Sequence, residues 1–401
     1  MVAVAPAAST LAIPVFYQPM IDQQVIANIS WGTPASKVIP TVVDTGSYGF
    51  WVAGPDAIVN SGSPYLGQMG SCNQTIDPAF HWPESSSHSG PYDEGKAVFL
   101  YGGGGKRIVC PTAVNDTMSF HNDYPPIENV QVASCDFIQI KSSSTTCRGA
   151  HYDKSIMGLA PIPAIQGGPL LHSELLKQGR LGSGVFSTWF DAQPADINEP
   201  QVGTLLFGAV PADKYTGDLV TLRNSGYERA ETGYYYVGMP EVRAVHINGE
   251  GDGKKTTIPA ANPDKLPQCL ADSGTWGMTL PTDDKAFYAA TGLEADRPFI
   301  SPRYPAACAD IPVDAAFELV FTGTDGKTAS VKIPYRSLAE GEGQAPNTCR
   351  LNLQLGDNGC TLGGTFYASA FIAHDDEART VQIAQGAVAG SAQGPPKGLR
   401  L

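Results

Sequence analysis

Val42-Val-Asp44-Thr-Gly-Ser-Tyr-Gly-Phe-Trp-Val52 and Leu270-Ala-Asp272-Ser-Gly-Thr-Trp-Gly-Met-Thr-Leu280 are two copies of one pattern. Each runs apolar, apolar, Asp, hydroxyl, Gly, hydroxyl, aromatic, Gly, and then a mainly apolar strand. A lone Asp-Thr-Gly marks many ordinary turns. Two copies in matching apolar frames point instead to a duplicated unit. Each copy also has a distant companion, Ser155-Ile-Met-Gly158-Leu-Ala after the first and Thr361-Leu-Gly363-Gly-Thr-Phe366 after the second. Both companions are short apolar runs that stop at Gly, so the repeat is a whole lobe rather than a solenoid turn.

The chain between these anchors reads as strands: Val25-Ile-Ala-Asn-Ile-Ser-Trp31, Lys96-Ala-Val-Phe-Leu-Tyr101, Gly203-Thr-Leu-Leu-Phe-Gly208 and Ala316-Phe-Glu-Leu-Val-Phe321. With 44 Gly and 32 Pro, the composition suits short strands and tight turns. Helices are expected at His172–Gly179 and Thr282–Gly292, each closing at Gly, the second capped by Thr282. The fold class is therefore all-β, with two lobes across 401 residues. Asp191–Gln201, rich in Pro, Asp, Asn and Gln, sets the lobes at 14–192 and 193–388, with 389–401 a loose tail. Residues 83–94 read as a surface loop.

The net charge of −13 argues against nucleic acid and anionic membrane as partners. No run approaches the length of a membrane span. The eight Cys form no Cys-x-x-Cys pair, and the seven His lack metal-ligand spacing, so neither metal nor cofactor is expected. Scattered Cys fit disulfides, and Asn28-Ile-Ser30, Asn73-Gln-Thr75 and Asn115-Asp-Thr117 are glycosylation acceptor patterns. Secretion is the expectation from these features. Met1-Val-Ala-Val-Ala-Pro6 is not a signal peptide as written, and an intracellular location follows if Met1 is the native start. There is no Gly-x-Ser-x-Gly elbow, and Gly326-Lys-Thr328 lacks the upstream Gly of a phosphate loop and reads as a hairpin turn.

Set face to face, the two Asp turns would bring Asp44 and Asp272 into one site. Two carboxylates a few ångströms apart hold one proton between them. The ionised member can then deprotonate a water while the protonated member donates to a carbonyl. Gly46 and Gly274 allow the sharp turn, and Ser47 and Thr275 can hydrogen-bond and orient the carboxylates.

Asp44-Thr-Gly-Ser47 and Asp272-Ser-Gly-Thr275 resemble the two active-site motifs of pepsin-like aspartic proteases, including the secreted fungal type. The resemblance spans roughly residues 14–388. It implies two β-barrel-like lobes related by a pseudo-twofold axis, a peptide or protein substrate in the cleft between them, and a monomer. It also implies a flap, here Tyr101-Gly102-Gly103 in a run of four Gly, with Trp51 packing near the flap Tyr. From the same resemblance Cys308–Cys349 is expected to be bonded. Cys269–Cys360 is a plausible second pair, and Cys135–Cys147 is a guess in the first lobe.

This chain departs from the family at Tyr48 and Trp276, where a small residue usually follows the hydroxyl, and at Gly103, where a hydroxyl residue or Asp often sits. Tyr48 and Trp276 are accordingly candidate substrate contacts. The leading functional reading is an acid endopeptidase. Two others stay open: an enzyme on the same fold dedicated to one peptide or a biosynthetic small molecule, and a non-catalytic binding or inhibitor protein.

Overall fold

The computed structural model describes residues 10–390 apart from 103–104, 121–123, 142–153, 162–167, 229–232, 250–252, 266–267, 297–300 and 358. Strands dominate, with three α-helices among the described residues, Leu171–Lys177, Asp284–Thr291 and Gly364–Ser369. The alternation that makes a half-buried strand is clearest in Thr328–Pro334. There Ala329, Val331 and Ile333 face the core, and Thr328, Ser330 and Lys332 face water. Gly326, at a positive φ, turns this strand back on Ala316–Thr322, so Gly326-Lys-Thr328 is a hairpin turn as read.

The chain divides into two compact units, Ile26–Arg180 and a second made of Met1–Val25 with Leu181–Leu401. In the N-terminal unit the strands Ile39–Asp44, Ser155–Gly158, Phe50–Ser63, Ile127–Lys141, Lys106–Cys110 and Ala97–Tyr101 are successive neighbours. Their inner faces bury Val42, Trp51, Phe99, Ile108, Ile138 and Ile156 in one apolar cluster. In the C-terminal unit, Thr216–Arg223, Thr380–Gln385, Ala370–Asp375, Phe186–Phe190, Gln201–Phe207 and Leu11–Gln18 form one run of strands. A separate five-stranded sheet carries Cys269–Ala271, Thr361–Leu362 and Met278–Leu280 side by side. Residues 14–25 and 181–192, read above with the first lobe, group with the C-terminal residues. Leu11–Gln18 pairs with Gln201–Phe207, and Phe186–Phe190 pairs with that strand and with Ala370–Asp375.

Three local expectations need correction. The helix Asp284–Thr291 is capped by Asp283, whose carboxylate accepts the Ala286 N–H at 2.8 Å, and not by Thr282. A carboxylate one residue closer to the first turn reaches the orphan N–H that the Thr hydroxyl does not. Its far end does close on Gly292, left-handed at φ 74°. Residues 83–94 contain a short strand, Ser89–Tyr92, paired with Thr112–Phe120, and are not loop throughout. Cys135 bonds Cys110, not Cys147, because the strands Lys106–Cys110 and Ile127–Lys141 lie side by side. Cys147 and the tail 391–401 lie outside the described residues. Cys72 is disulfide-bonded, and Cys269–Cys360 and Cys308–Cys349 pair as expected.

Candidate active site

In the N-terminal unit, Asp44 ends the strand Ile39–Asp44 and is buried. The turn that follows folds back onto its carboxylate. The Gly46 N–H donates to Asp44 Oδ1 at 2.9 Å, and the Ser47 hydroxyl donates to Oδ2. The strand Ser155–Gly158 supports this turn. It runs parallel to Ile39–Asp44, with Gly158 opposite Asp44, and antiparallel to Phe50–Ser63 on its other side. Beyond it, the Leu159 N–H donates to the Asp44 carbonyl at 2.8 Å and the Ala160 N–H to the Ser47 carbonyl at 2.9 Å. Position 158 is Gly because a Cβ there would meet the Tyr48 backbone at 2.5 Å.

The C-terminal unit repeats the device. Asp272 follows the strand Cys269–Ala271. The Gly274 N–H donates to its Oδ1 at 2.9 Å, and the Thr275 hydroxyl donates to its Oδ2 at 2.7 Å. Thr361–Leu362 runs parallel to Cys269–Ala271 and antiparallel to Met278–Leu280. The Asp272 N–H donates to the Leu362 carbonyl at 3.0 Å, and the Gly364 N–H to the Thr275 carbonyl at 2.9 Å. A Cβ on Gly363 would meet the Gly277 carbonyl at 2.0 Å. In both units a carboxylate is thus held by an amide N–H and a hydroxyl, an arrangement that fixes its rotamer.

Two supports of the Asp272 turn had no signal in the sequence. The Val25 N–H donates to the Ser273 carbonyl at 3.1 Å, and the Gln24 side-chain amide donates to the Gly274 carbonyl. The strand Asp22–Trp31 therefore braces a turn some 250 residues later in the chain.

Tyr101 ends the strand Ala97–Tyr101 and pairs with Lys106 across the Gly-rich hairpin turn. Gly102 is exposed at a positive φ, and Gly103 lies outside the described residues. The Trp51 indole N–H donates to the Tyr101 hydroxyl at 2.9 Å. Burial pushes the pKa of that hydroxyl well above its ordinary value, and the Asp44 charge acts in the same direction, so Tyr101 is a neutral group. Lys106, which the sequence reading passed over, places its ammonium 5.0 Å from the Trp51 ring centre and 6.0 Å from that of Tyr101.

The two aromatic departures differ. Tyr48 is half-buried and packs edge-on to Phe99 at 6.3 Å between ring centres, against the core cluster. Trp276 is 39% exposed.

The model of the eukaryotic aspartyl protease family matches residues 24–386. The chain belongs to this family. Among its relatives, aspartic proteinase 3 of Saccharomyces cerevisiae is 29% identical over 214 residues, 53% of this chain and 34% of that protein. Secreted aspartic protease 8 of Candida albicans is 24% identical over 350 residues, 86% of this chain and 71% of that protein. The chain thus spans about a third of the length of the Saccharomyces relative and most of the Candida one. The crystal structure of the aspartic proteinase from Irpex lacteus superimposes with a TM-score of 0.61 at 18% identity, covering 96% of this chain and 100% of that one. That likeness shows the pepsin-like β fold. Among the described residues no helix is long and apolar enough to cross a membrane.

Proposed function

We propose that this chain is an aspartic endopeptidase in which Asp44 and Asp272 act together on one peptide bond. The observation that carries this reading is the repeated clamp: Gly46 and Ser47 hold the Asp44 carboxylate as Gly274 and Thr275 hold that of Asp272. Turn capping alone does not require two Gly-supported copies in separate units. In the proposed reaction one carboxylate is ionised and takes a proton from water. The other is protonated and donates to the scissile carbonyl. The tetrahedral species then collapses as the amine leaves with a proton. Tyr101, kept neutral, is a donor at the flap, with the exposed Gly102 leaving backbone groups open to an extended peptide.

The protein is read as a secreted monomer. Disulfides suit an oxidising compartment, and the Candida relative is named as secreted. The exposure of Trp276 favours a second reading, a cleft trimmed for one dedicated substrate.

A peptide library incubated from pH 3 to 7, with products read by mass spectrometry, tests both. Cleavage confined to acid pH and blocked by a statine-type inhibitor is expected. Asp44→Asn and Asp272→Asn should each abolish it, and full activity in either variant refutes the assignment.

A further inference from the structure

A cavity of about 240 Å³ lies within the C-terminal unit, and none of its lining residues belongs to the Asp272 turn or to the strands beside it. Strand register builds its floor. Gln382 lies opposite Thr221 on one side and opposite Ala373 on the other, so the three side chains form one row on one face of the sheet. Phe371 and Ala384, two residues along from Ala373 and Gln382, put the same face into the apolar cluster around Trp189. The cavity therefore sits where that cluster meets the surface. Val185 and Val210, each 6% exposed, and the half-buried Leu219 give it apolar walls. Asp375, two residues beyond Ala373 on the same face, closes it at the end of the strand.

The polar groups of the lining are open to a ligand. Thr221, Asp375 and Gln382 are half-buried rather than enclosed. Among the described residues neither the Gln382 side-chain amide nor the Thr221 hydroxyl has a hydrogen-bond partner, and Asp375 makes no ion pair. Its Oδ1 accepts the Ala378 N–H at 2.8 Å, which leaves Oδ2. Asp375 is the one ionisable group of the lining. The cations of the neighbouring segments stand outside it. Arg223, across Thr380 from Asp375, and Arg379 are exposed, and Lys214 is buried against Trp189 and paired with Asp213 at 3.8 Å. The amide and hydroxyl can donate or accept, but the carboxylate only accepts and carries the charge, so it decides the sign of the ligand. Asp375, Gln382 and Thr221 together offer three acceptors, the number of N–H donors on a primary ammonium. The volume lies just below that of ordinary ligand pockets, about 300–1,000 Å³, which suits a molecule of a few heavy atoms.

We propose that this cavity binds a small primary ammonium with an apolar body, its nitrogen held by Asp375, Gln382 and Thr221 and its body laid on Val185, Val210, Leu219 and Ala373. The chemistry is shared by free alkylamines and by the α-ammonium of an apolar amino-acid amide, as at a peptide's N-terminus.

The test is ligand-observed NMR titration of the full chain at pH 6 and about 0.15 M salt, which screens long-range attraction to the net charge of −13. The probes are 3-methylbutylamine, leucinamide, 3-methylbutanol and 4-methylpentanoate. Saturable binding of at least one amine is expected, with the alcohol and the carboxylate at least tenfold weaker. Tighter binding of leucinamide identifies a peptide N-terminus as the source, and tighter binding of 3-methylbutylamine identifies free alkylamines. Asp375→Asn keeps the size of the side chain and an oxygen for the Ala378 N–H, and should weaken amine binding at least tenfold. Glu377→Gln, two residues along and exposed, removes an equal charge outside the lining and should leave binding unchanged. Thr221→Phe should fill the mouth and weaken binding at least tenfold, and it serves if Asp375→Asn fails to fold. No saturable binding of either amine, equal binding of the alcohol or the carboxylate, equal losses in Asp375→Asn and Glu377→Gln, or unchanged binding in Thr221→Phe overturns the proposal. No readout depends on peptide cleavage, so this outcome is separate from that of the endopeptidase reading.

Discussion

Trp51 donates its indole N–H to the hydroxyl of Tyr101 at 2.9 Å, tying the end of a Gly-rich hairpin to a side chain wholly buried in the core. Lys106 lies over both rings and adds a cation to the stack. Tyr101→Phe removes the hydroxyl and keeps the ring. A net hydrogen bond contributes about 1 kcal/mol, so peptide cleavage should slow by roughly tenfold or less, with a small change in Tm. Unchanged kcat/KM in Tyr101→Phe would show that the hydroxyl has no part in turnover. Lys106→Met should loosen the same stack and Lys106→Arg should preserve it, read out as a change in Trp fluorescence.

Gly158 and Gly363 occupy equivalent places beneath the two Asp turns, and both lack room for a methyl group. A Cβ would lie 2.5 Å from Tyr48 backbone in one and 2.0 Å from the Gly277 carbonyl in the other. Overpacking of this kind costs about 1–3 kcal/mol, and here the obstacle is backbone that cannot rotate away. Gly158→Ala and Gly363→Ala should each lower Tm and reduce cleavage together. A variant with full Tm and full activity would show that the turns tolerate displacement.

That pair of glycines also shows why so much was legible from the sequence. The two Asp turns are read from residues close together in the chain, and their companions Ser155–Gly158 and Thr361–Leu362 carry the same apolar-to-Gly signature. Strand pairing preserved both. The strands Val25–Trp31, Lys96–Tyr101, Gly203–Gly208 and Ala316–Phe321 were likewise legible, because short apolar runs, alternating in burial in Ala97–Tyr101 and buried nearly throughout in the others, leave their mark locally. What escaped is non-local. The support of Ser273 and Gly274 by Val25 and Gln24 depends on how distant strands meet, as does the Cys110–Cys135 bond. The helix Gly364–Ser369 was missed because all six residues are buried, so it shows no polar face.

The Cys269–Cys360 bond joins the two strands beneath Asp272 and closes 91 residues, while Cys110–Cys135 closes 25. If cross-linking acts mainly on the unfolded chain, the longer loop contributes about 4.6 kcal/mol and the shorter about 3.5 kcal/mol. Replacing each pair by Ala should destabilise the protein, the Cys269/Cys360 variant more. Denaturant titration of both variants measures the order, and a reversed order would mean that native packing outweighs loop entropy here.

Low pH also bears on stability. The Glu241 carboxylate accepts Arg243 Nε and Nη2 at 2.8 and 2.7 Å and the Thr257 hydroxyl at 2.6 Å. The Arg243 hydrogen bond, then that of Thr257, lowers its pKa from 4.5 to about 2. A depressed folded-state pKa contributes stability that is full above the unfolded value and is lost as pH falls through the folded one. The clamp between Glu241–Ala244 and Thr256–Ile258 therefore weakens across pH 4.5 to about 2. Because the pair is exposed, its contribution is under about 1 kcal/mol. Glu241→Gln should lower Tm slightly at pH 6, and the difference should vanish below about pH 2. A difference that stays constant with pH would assign the effect to packing.

Tyr48 and Trp276 fill equivalent places in the two motifs and meet different surroundings, which makes them a matched pair for testing substrate choice. Tyr48 lies edge-on to Phe99 and packs on the core cluster. Truncating it removes contacts that the fold uses, so Tyr48→Ser should lower Tm and impair cleavage of every substrate alike. Trp276 is 39% exposed beside the Asp272 clamp, so part of its indole is open to a substrate while the rest is covered. Under the proposed second reading an exposed indole at that place would exclude bulky substrates by occupying their volume, and exclusion discriminates more surely than added attraction. Trp276→Ser should therefore raise cleavage of folded proteins relative to short peptides, beyond any loss of Tm from the covered part of the ring. Comparing the two variants on both substrate classes separates the roles. A lower Tm with an unchanged substrate profile in Trp276→Ser would make that indole a packing residue and remove the support for a dedicated substrate.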